Sequence, residues 1–181
     1  MLIPKAAKRY AQAWYDQAAE QGVLDRVLED SRLIGSMVSE SRELQTFLKN
    51  QIISNQKKKD VIENLLSDSV SEATYALINL LLKKNREDLL GAVAEAFIDT
   101  YNQNHGILEA EVRHPKKLDQ KQVDALKKAL EQRTGKTIEL TLIEDPSLIG
   151  GLTIKIGDTV IDGSVKNKIQ KLDALFHGTA A

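Results

Sequence analysis

The spacing of apolar residues changes once along this chain, near Gly106, and that change limits what the polypeptide can fold into. Up to about Asn104, apolar positions recur three and four residues apart, the signature of amphipathic helices packed on one face. Pro4 is tolerated in the first turn of a helix whose apolar positions are Ile3, Ala6, Ala7, Tyr10, Ala13, Trp14 and Ala18. A second helix carries Val23, Leu24, Val27, Leu28, Ile34, Met37 and Val38. A short third holds Leu44, Phe47 and Leu48, and a fourth presents Val61, Ile62, Leu65 and Leu66. Ser71 is placed to cap the N-terminus of a fifth that runs to about Lys84. The sixth, from Leu89 through Tyr101, is an unbroken apolar stripe, stopped at Gly106 by a residue suited to a left-handed turn. Short polar links join these helices, so neighbours are expected to pack antiparallel as a bundle.

Beyond Gly106 the period becomes two. Leu108, Ala110 and Val112 alternate with Glu109, Glu111 and Arg113, a strand with one wet face, and Pro115 ends it. Asp119 with Gln122 forms a capping-box pattern before a helix on Val123, Leu126 and Leu130, closed by Gly135. Ile138, Leu140 and Leu142 alternate again. After the turn Asp145-Pro146-Ser147 come Leu152, Ile154 and Ile156, then Gly157-Asp158, then Val160 and Ile161; a glycine first in a two-residue loop predicts a type II′ hairpin. Ser164 is a cap for a last helix on Val165, Ile169, Leu172, Leu175 and Phe176. The expected fold class is mainly α with α+β. An N-terminal six-helix bundle spans 1–105, and a small α+β C-terminal domain spans 106–181.

Composition excludes several chemistries. Among 181 residues there is no cysteine, so disulfides, thiolate metal sites and cysteine nucleophiles are absent. A net charge of −1 and 4% aromatic residues argue against a nucleic-acid platform. Lys57-Lys58-Lys59, Lys116-Lys117 and Lys127-Lys128 lack interleaved aromatics or Arg and read as solvated faces. The first ten residues hold no long apolar run of the secretory type, and Leu80-Leu81-Leu82 is too short to cross a bilayer. Any work at a membrane must therefore be done through other proteins.

No motif for catalysis emerges. Gly150-Gly151 lacks the Gly-Lys-Ser/Thr of a phosphate loop and is followed by strand residues, which points to a bulge or a close backbone approach. His105, His114 and His177 share no metal-ligand spacing, so neither metal nor cofactor is expected. Asp145, Asp158 and Asp162 fall at turns, where Asp is favoured for its local hydrogen bonds. What exceeds the needs of one core is apolar surface on two helices. On the first, Tyr10 and Trp14 with the alanines spread over an arc of roughly 160°, wider than the ~100° one packed face requires. On the fifth, Ala73, Ala76, Leu77, Ile78, Leu80, Leu81 and Leu82 leave Asn79 as nearly the only polar break. Either these helices are central and Ala-rich, or a groove between them accepts a partner helix.

Two segments resemble one family. Ala7-Lys8-Arg9-Tyr10-Ala11-Gln12-Ala13 is similar to the Ala-Arg-x-Tyr-Ala-x-Ala opening of the delta subunit of F-type ATP synthase, called OSCP in mitochondria. Leu148-Ile149-Gly150-Gly151-Leu152 through Gly157-Asp158 and Ile161-Asp162-Gly163-Ser164-Val165 resembles that family's signature segment. Asn85-Arg86 and Gly106 also fall where the family tends to have them, whereas Trp14 and Arg113-His114-Pro115 depart from its usual residues. The resemblance implies a non-catalytic peripheral-stalk subunit that ties the catalytic head to the stalk, so that the head does not turn with the rotor. It implies location at the cytoplasmic face of the cell membrane, held there only through the complex. It also implies that the bundle holds the N-terminal helix of an alpha subunit, and the C-terminal domain the C-terminus of a b-type stalk subunit. Ala6, Tyr10, Ala13 and Trp14 with Leu77, Leu80 and Leu81 are the expected partner-binding residues. Gly150, Gly151, Asp162, Gly163 and Ser164 are expected to shape the C-terminal domain. An RNA-binding or generic protein-interaction adaptor is the alternative, and an unrecognised enzyme a further one.

Overall fold

The computed structural model describes residues 3–50, 52–66 and 69–170. The chain divides into two compact units, Met1–Asn104 and His105–Ala181. It is mostly helical, with one small four-stranded sheet.

The first unit is built from α1 (Lys5–Glu20), α2 (Leu24–Glu40), α3 (Arg42–Lys49), α4 (Asn55–Leu66), α5 (Glu72–Lys83) and α6 (Leu90–His105). A 3-10 turn, Glu87–Leu89, precedes α6. The plain six-helix pattern is thus incomplete: Leu89, expected inside the sixth helix, belongs to this tighter turn. Ala7, Ala11 and Ala18 are fully buried along one stripe of α1, so the neighbouring backbone comes close. Trp14 lies in the same stripe, with its ring centroid 4.6 Å from that of Phe97 on α6. Val27, Ile34, Ile78, Leu81 and Val93 complete the most deeply buried set.

Two buried polar clusters fix the helices in register. Asp30, on α2, is 1% exposed. Its carboxylate accepts from the Ser71 backbone N–H at 2.8 Å and the Thr74 hydroxyl at 2.6 Å, and Arg26 lies 3.4 Å away. An acid at the first turn of α5 also meets the positive end of that helix. Ser71 caps α5 through Thr74, as its position predicts.

Lys58 corrects the reading of its triplet as a solvated run. It is 1% exposed, and its ammonium donates to the Leu48 carbonyl at 2.9 Å and to Glu87 Oε1. Consecutive helical residues point about 100° apart, so one lysine of three can turn inward while Lys57 stays exposed. The pair joins the end of α3, the first turn of α4 and the 3-10 turn.

In the second unit the sheet order is β2-β1-β3-β4, with β1 (Ile107–His114), β2 (Thr137–Glu144), β3 (Thr153–Ile156) and β4 (Thr159–Asp162). β1 and β2 are parallel and joined by α7 (Gln120–Thr134); β3 and β4 are antiparallel additions. The expected capping box is present, with Gln122 N–H donating to Asp119 Oδ1 at 2.8 Å and Asp119 N–H to Gln122 Oε1 at 3.0 Å. Gly135 ends α7 at φ +67°. Ala110, Val112, Leu130, Ile138 and Ile154 form the core, so the period-two strands point their apolar residues at one side. Leu142 departs from that expectation: it lies near the end of the edge strand β2 and is 40% exposed. Of the two hairpin residues only Gly157 has positive φ, +55°, which is the II′ pattern. The last helix begins at Val165, and Ser164 Oγ accepts from Asn167 N–H at 3.2 Å. Leu172, Leu175, Phe176 and His177 lie outside the described residues.

Removing one partner of a buried ion pair strands the other charge. Lys58→Ala is therefore expected to lower the unfolding free energy by about 3–5 kcal/mol, read from the urea midpoint. Replacing both, Lys58→Met with Glu87→Leu, should recover most of the loss. A single variant as stable as the parent would remove the pair from this role.

Candidate functional site

The wide apolar arc of α1 resolves into two stripes. Ala7, Ala11, Trp14 and Ala18 face the core. About a quarter turn away, Ala6 and Ala13 are exposed and Tyr10 is half-buried. α5 repeats this division: Leu77, Ile78 and Leu81 are buried, whereas Ala76 is exposed and Leu80 is 42% exposed. The two outward stripes lie side by side and enclose a depression. One part, about 420 Å³, is lined by Ala6, Arg9, Tyr10, Ala13, Leu80 and Arg86. An adjoining part of about 90 Å³ shares Tyr10, Ala13 and Leu80 and adds Trp14, Gln17, Ala76 and Leu77.

The expected partner-binding residues thus divide by depth. Ala6, Tyr10, Ala13 and Leu80 form the walls, and Trp14 and Leu77, both largely buried, form the floor. Leu81 is 1% exposed and lines neither part; it is a core residue. The Trp14 indole N–H has no acceptor among the described residues, so packing alone holds the ring. Arg9, Gln17, Ala76 and Arg86 also line the depression, although they are not among the expected partner-binding residues. Arg9 and Gln17 were legible, lying three and four residues from Ala6 and Ala13. Arg86 was not, because its place depends on how α5 ends. Asn85 takes φ +53°, Asn85 N–H donates to Leu82 O at 3.1 Å and Arg86 N–H to Leu81 O at 2.9 Å. This is a Schellman closure with asparagine as the left-handed residue, and it returns Arg86 toward the groove.

The lining offers alkyl, phenol, indole, amide and guanidinium groups, with no carboxylate or imidazole to act as an acid–base pair. Burial raises the Asp99 carboxyl pKa, opposed by the Lys8 charge, but Asp99 lines neither part. A separate depression between α2, α3 and α6 contains Asp88, Glu95, Lys49 and Ser39. The Ser39 hydroxyl donates to the Ser36 carbonyl at 3.0 Å and has no base beside it in the described contacts. Shape and apolarity, more than reactive groups, characterise the α1–α5 surface.

The glycine segment of the second unit is a backbone crossing. Gly151 has φ +83°, and a Cβ there would stand 2.4 Å from the Gly163 carbonyl oxygen. Gly163 N–H donates to Leu152 O and Val165 N–H to Gly150 O, both at 2.9 Å. Asp162 Oδ1 accepts from Ser164 N–H at 2.9 Å, and Ser164 is 3% exposed. The Asp145 carboxylate accepts from the Ser147 hydroxyl at 2.6 Å and its N–H at 3.0 Å, which lowers its pKa, with the Arg113 charge adding to the effect. These groups fold turns on one another.

Comparison with known proteins gives one answer. The family model described as "ATP synthase delta (OSCP) subunit" matches residues 6–176. The "ATP synthase subunit delta" of Chlorobaculum parvum is 38% identical over 167 residues, 92% of each chain. That of Salinibacter ruber is 36% identical over 165 residues, 91% of this chain and 87% of the relative. That of Desulforamulus reducens is 35% identical over 169 residues, 93% of each. A chain of the "Cryo-EM structure of Toxoplasma gondii mitochondrial ATP synthase hexamer, composite model" shares the fold, with TM-score 0.74 and 22% identity, covering 96% of this chain and 98% of that one.

Gly151→Ala should lower the stability of the second unit by about 2–4 kcal/mol, from left-handed strain plus the backbone clash. Gly157→Ala, at φ +55° in open space, should cost about 1 kcal/mol from strain alone. Equal shifts in their thermal melting would contradict the crossing.

Proposed function

The chain belongs to the ATP synthase delta (OSCP) family, and from that we propose how a non-catalytic peripheral-stalk subunit of the F-type ATP synthase does its work. The protein joins the catalytic head to the stalk so that the head resists rotor torque. The N-terminal helical bundle, residues 1–105, is the head-binding domain and takes the N-terminal amphipathic helix of an alpha subunit in the groove between α1 and α5. The C-terminal domain, residues 106–181, is the stalk-binding part and takes the C-terminus of a b-type subunit. Gly150, Gly151, Asp162, Gly163 and Ser164 shape that domain and contact no ligand. The protein sits at the cytoplasmic face of the membrane through its partners; no described helix is long and apolar enough to cross a bilayer.

The observation that carries this reading is the outward stripe Ala6, Tyr10 and Ala13 facing Ala76 and Leu80. Alanines on both walls let a third backbone approach, while Tyr10 and Leu80 supply larger apolar contact. A stator contact works by outlasting torque. It needs slow dissociation, which packed apolar anchors supply and exposed charges do not. The RNA-adaptor alternative is disfavoured by the net charge of −1 and by the absence of aromatic stacking residues other than Tyr10 and Trp14 in this lining.

Ala13 is exposed, so Ala13→Asp should leave folding intact. It should weaken binding of an alpha-subunit N-terminal peptide by about a hundredfold or more, because docking would bury an unpaired carboxylate. Calorimetric titration showing unchanged affinity would refute the groove as the docking site.

A further inference from the structure

The depression between α1 and α5 is not electrically uniform. Arg9 and Arg86 line one end beside Ala6 and Leu80, whereas the other end is neutral, with Gln17, Ala76 and Leu77. Both arginines are exposed, and among the described residues neither guanidinium has a carboxylate partner. Two other arginines are paired with acids: Arg26 with Glu29 and Asp30, and Arg113 with Glu111. At the groove, two cations from separate elements converge on one apolar surface. The position of Arg86 is set by the Schellman closure of α5, so its approach is built into the backbone.

An apolar stripe on an amphipathic helix fits such a groove nearly as well in either direction, since small and aliphatic walls carry no polarity. A pair of unpartnered cations at one end removes that degeneracy. We infer that the groove accepts its helix in a single direction, with a carboxylate-bearing turn seated between Arg9 and Arg86. The occupant is thus an amphipathic helix whose apolar stripe ends in Asp or Glu. The inference rests on the reading of this groove as a helix-docking site. The two arginines set the direction and rate of docking; the apolar walls set how long the helix stays. Rim charges act chiefly on association and its salt dependence, because solvent and counterions weaken them once the complex has formed. Reversed docking would leave both cations facing an apolar turn and gain nothing from them.

The test uses the full chain and a synthetic peptide of the cognate alpha-subunit N-terminal helix, with association and dissociation rates measured over a range of salt concentrations. Arg9→Gln with Arg86→Gln is expected to slow association about tenfold at low salt and to flatten its salt dependence, with dissociation changed by no more than about twofold. The peptide with its carboxylates replaced by amides should show the same loss against the parent protein and no further loss against the double variant. Both arginines are exposed, so the variant should melt as the parent does. If the peptide binds the parent but the double variant associates equally fast at every salt concentration, the charge-directed docking is wrong while the groove stands. If the peptide does not bind the parent at all, the docking reading fails and this inference with it.

Discussion

The groove of the helical unit follows from how α1 is seated. Ala7, Ala11 and Ala18 are fully buried, and a small-residue stripe of that kind lets a helix lie close against its neighbours. Trp14 fills the remaining space against Phe97. A helix turning about 100° per residue commits only part of its circumference to such a seat. The apolar residues a quarter turn away, Ala6, Tyr10 and Ala13, are then left outside. The exposed stripe is a geometric consequence of an arc wider than one interface, and α5 shows the same overflow at Ala76 and Leu80.

Behind the α5 wall of the groove, buried polar contacts add direction to apolar packing. Asp30 binds the first turn of α5 to α2, and the Lys58–Glu87 pair ties α4 to the 3-10 turn that leads into α6. Among the described residues Glu87 Oε2 is buried without a hydrogen-bond partner, so the pair is incompletely satisfied there. A buried ion pair of this kind offsets much of its Coulomb gain with desolvation, so the loss expected on removing one partner is largely the cost of stranding the other charge. The second unit solves a different problem by other means: glycines let two turns cross at a distance no side chain could tolerate.

Belonging to the delta (OSCP) family places these features in a machine whose stationary parts must hold against a turning one. The chain carries no cysteine, and the lining of its groove contains no acid–base pair. Torque resistance calls for none. On the proposed reading it calls for an apolar seat and a partner that arrives in the correct direction, which the α1–α5 lining and its two arginines would supply.

Most of the local structure was written in the sequence. Helix periods, the Ser71 cap, the Asp119–Gln122 box, the glycine stops and the Gly157-Asp158 hairpin all arise from interactions spanning a few residues, so neighbouring letters suffice to read them. Which side of an element meets solvent was decided only in three dimensions. Leu80 and Leu81 are adjacent and chemically alike, yet one lines the groove and the other is core. Lys58 reads as a surface lysine until a carboxylate from 29 positions away is brought to it. Arg9 and Arg86 share a groove end although 77 residues separate them (86 − 9), because helix packing brings those positions together. Periodicity fixes what an element is; burial and partnership depend on what lies across from it, and that is a property of the folded chain alone.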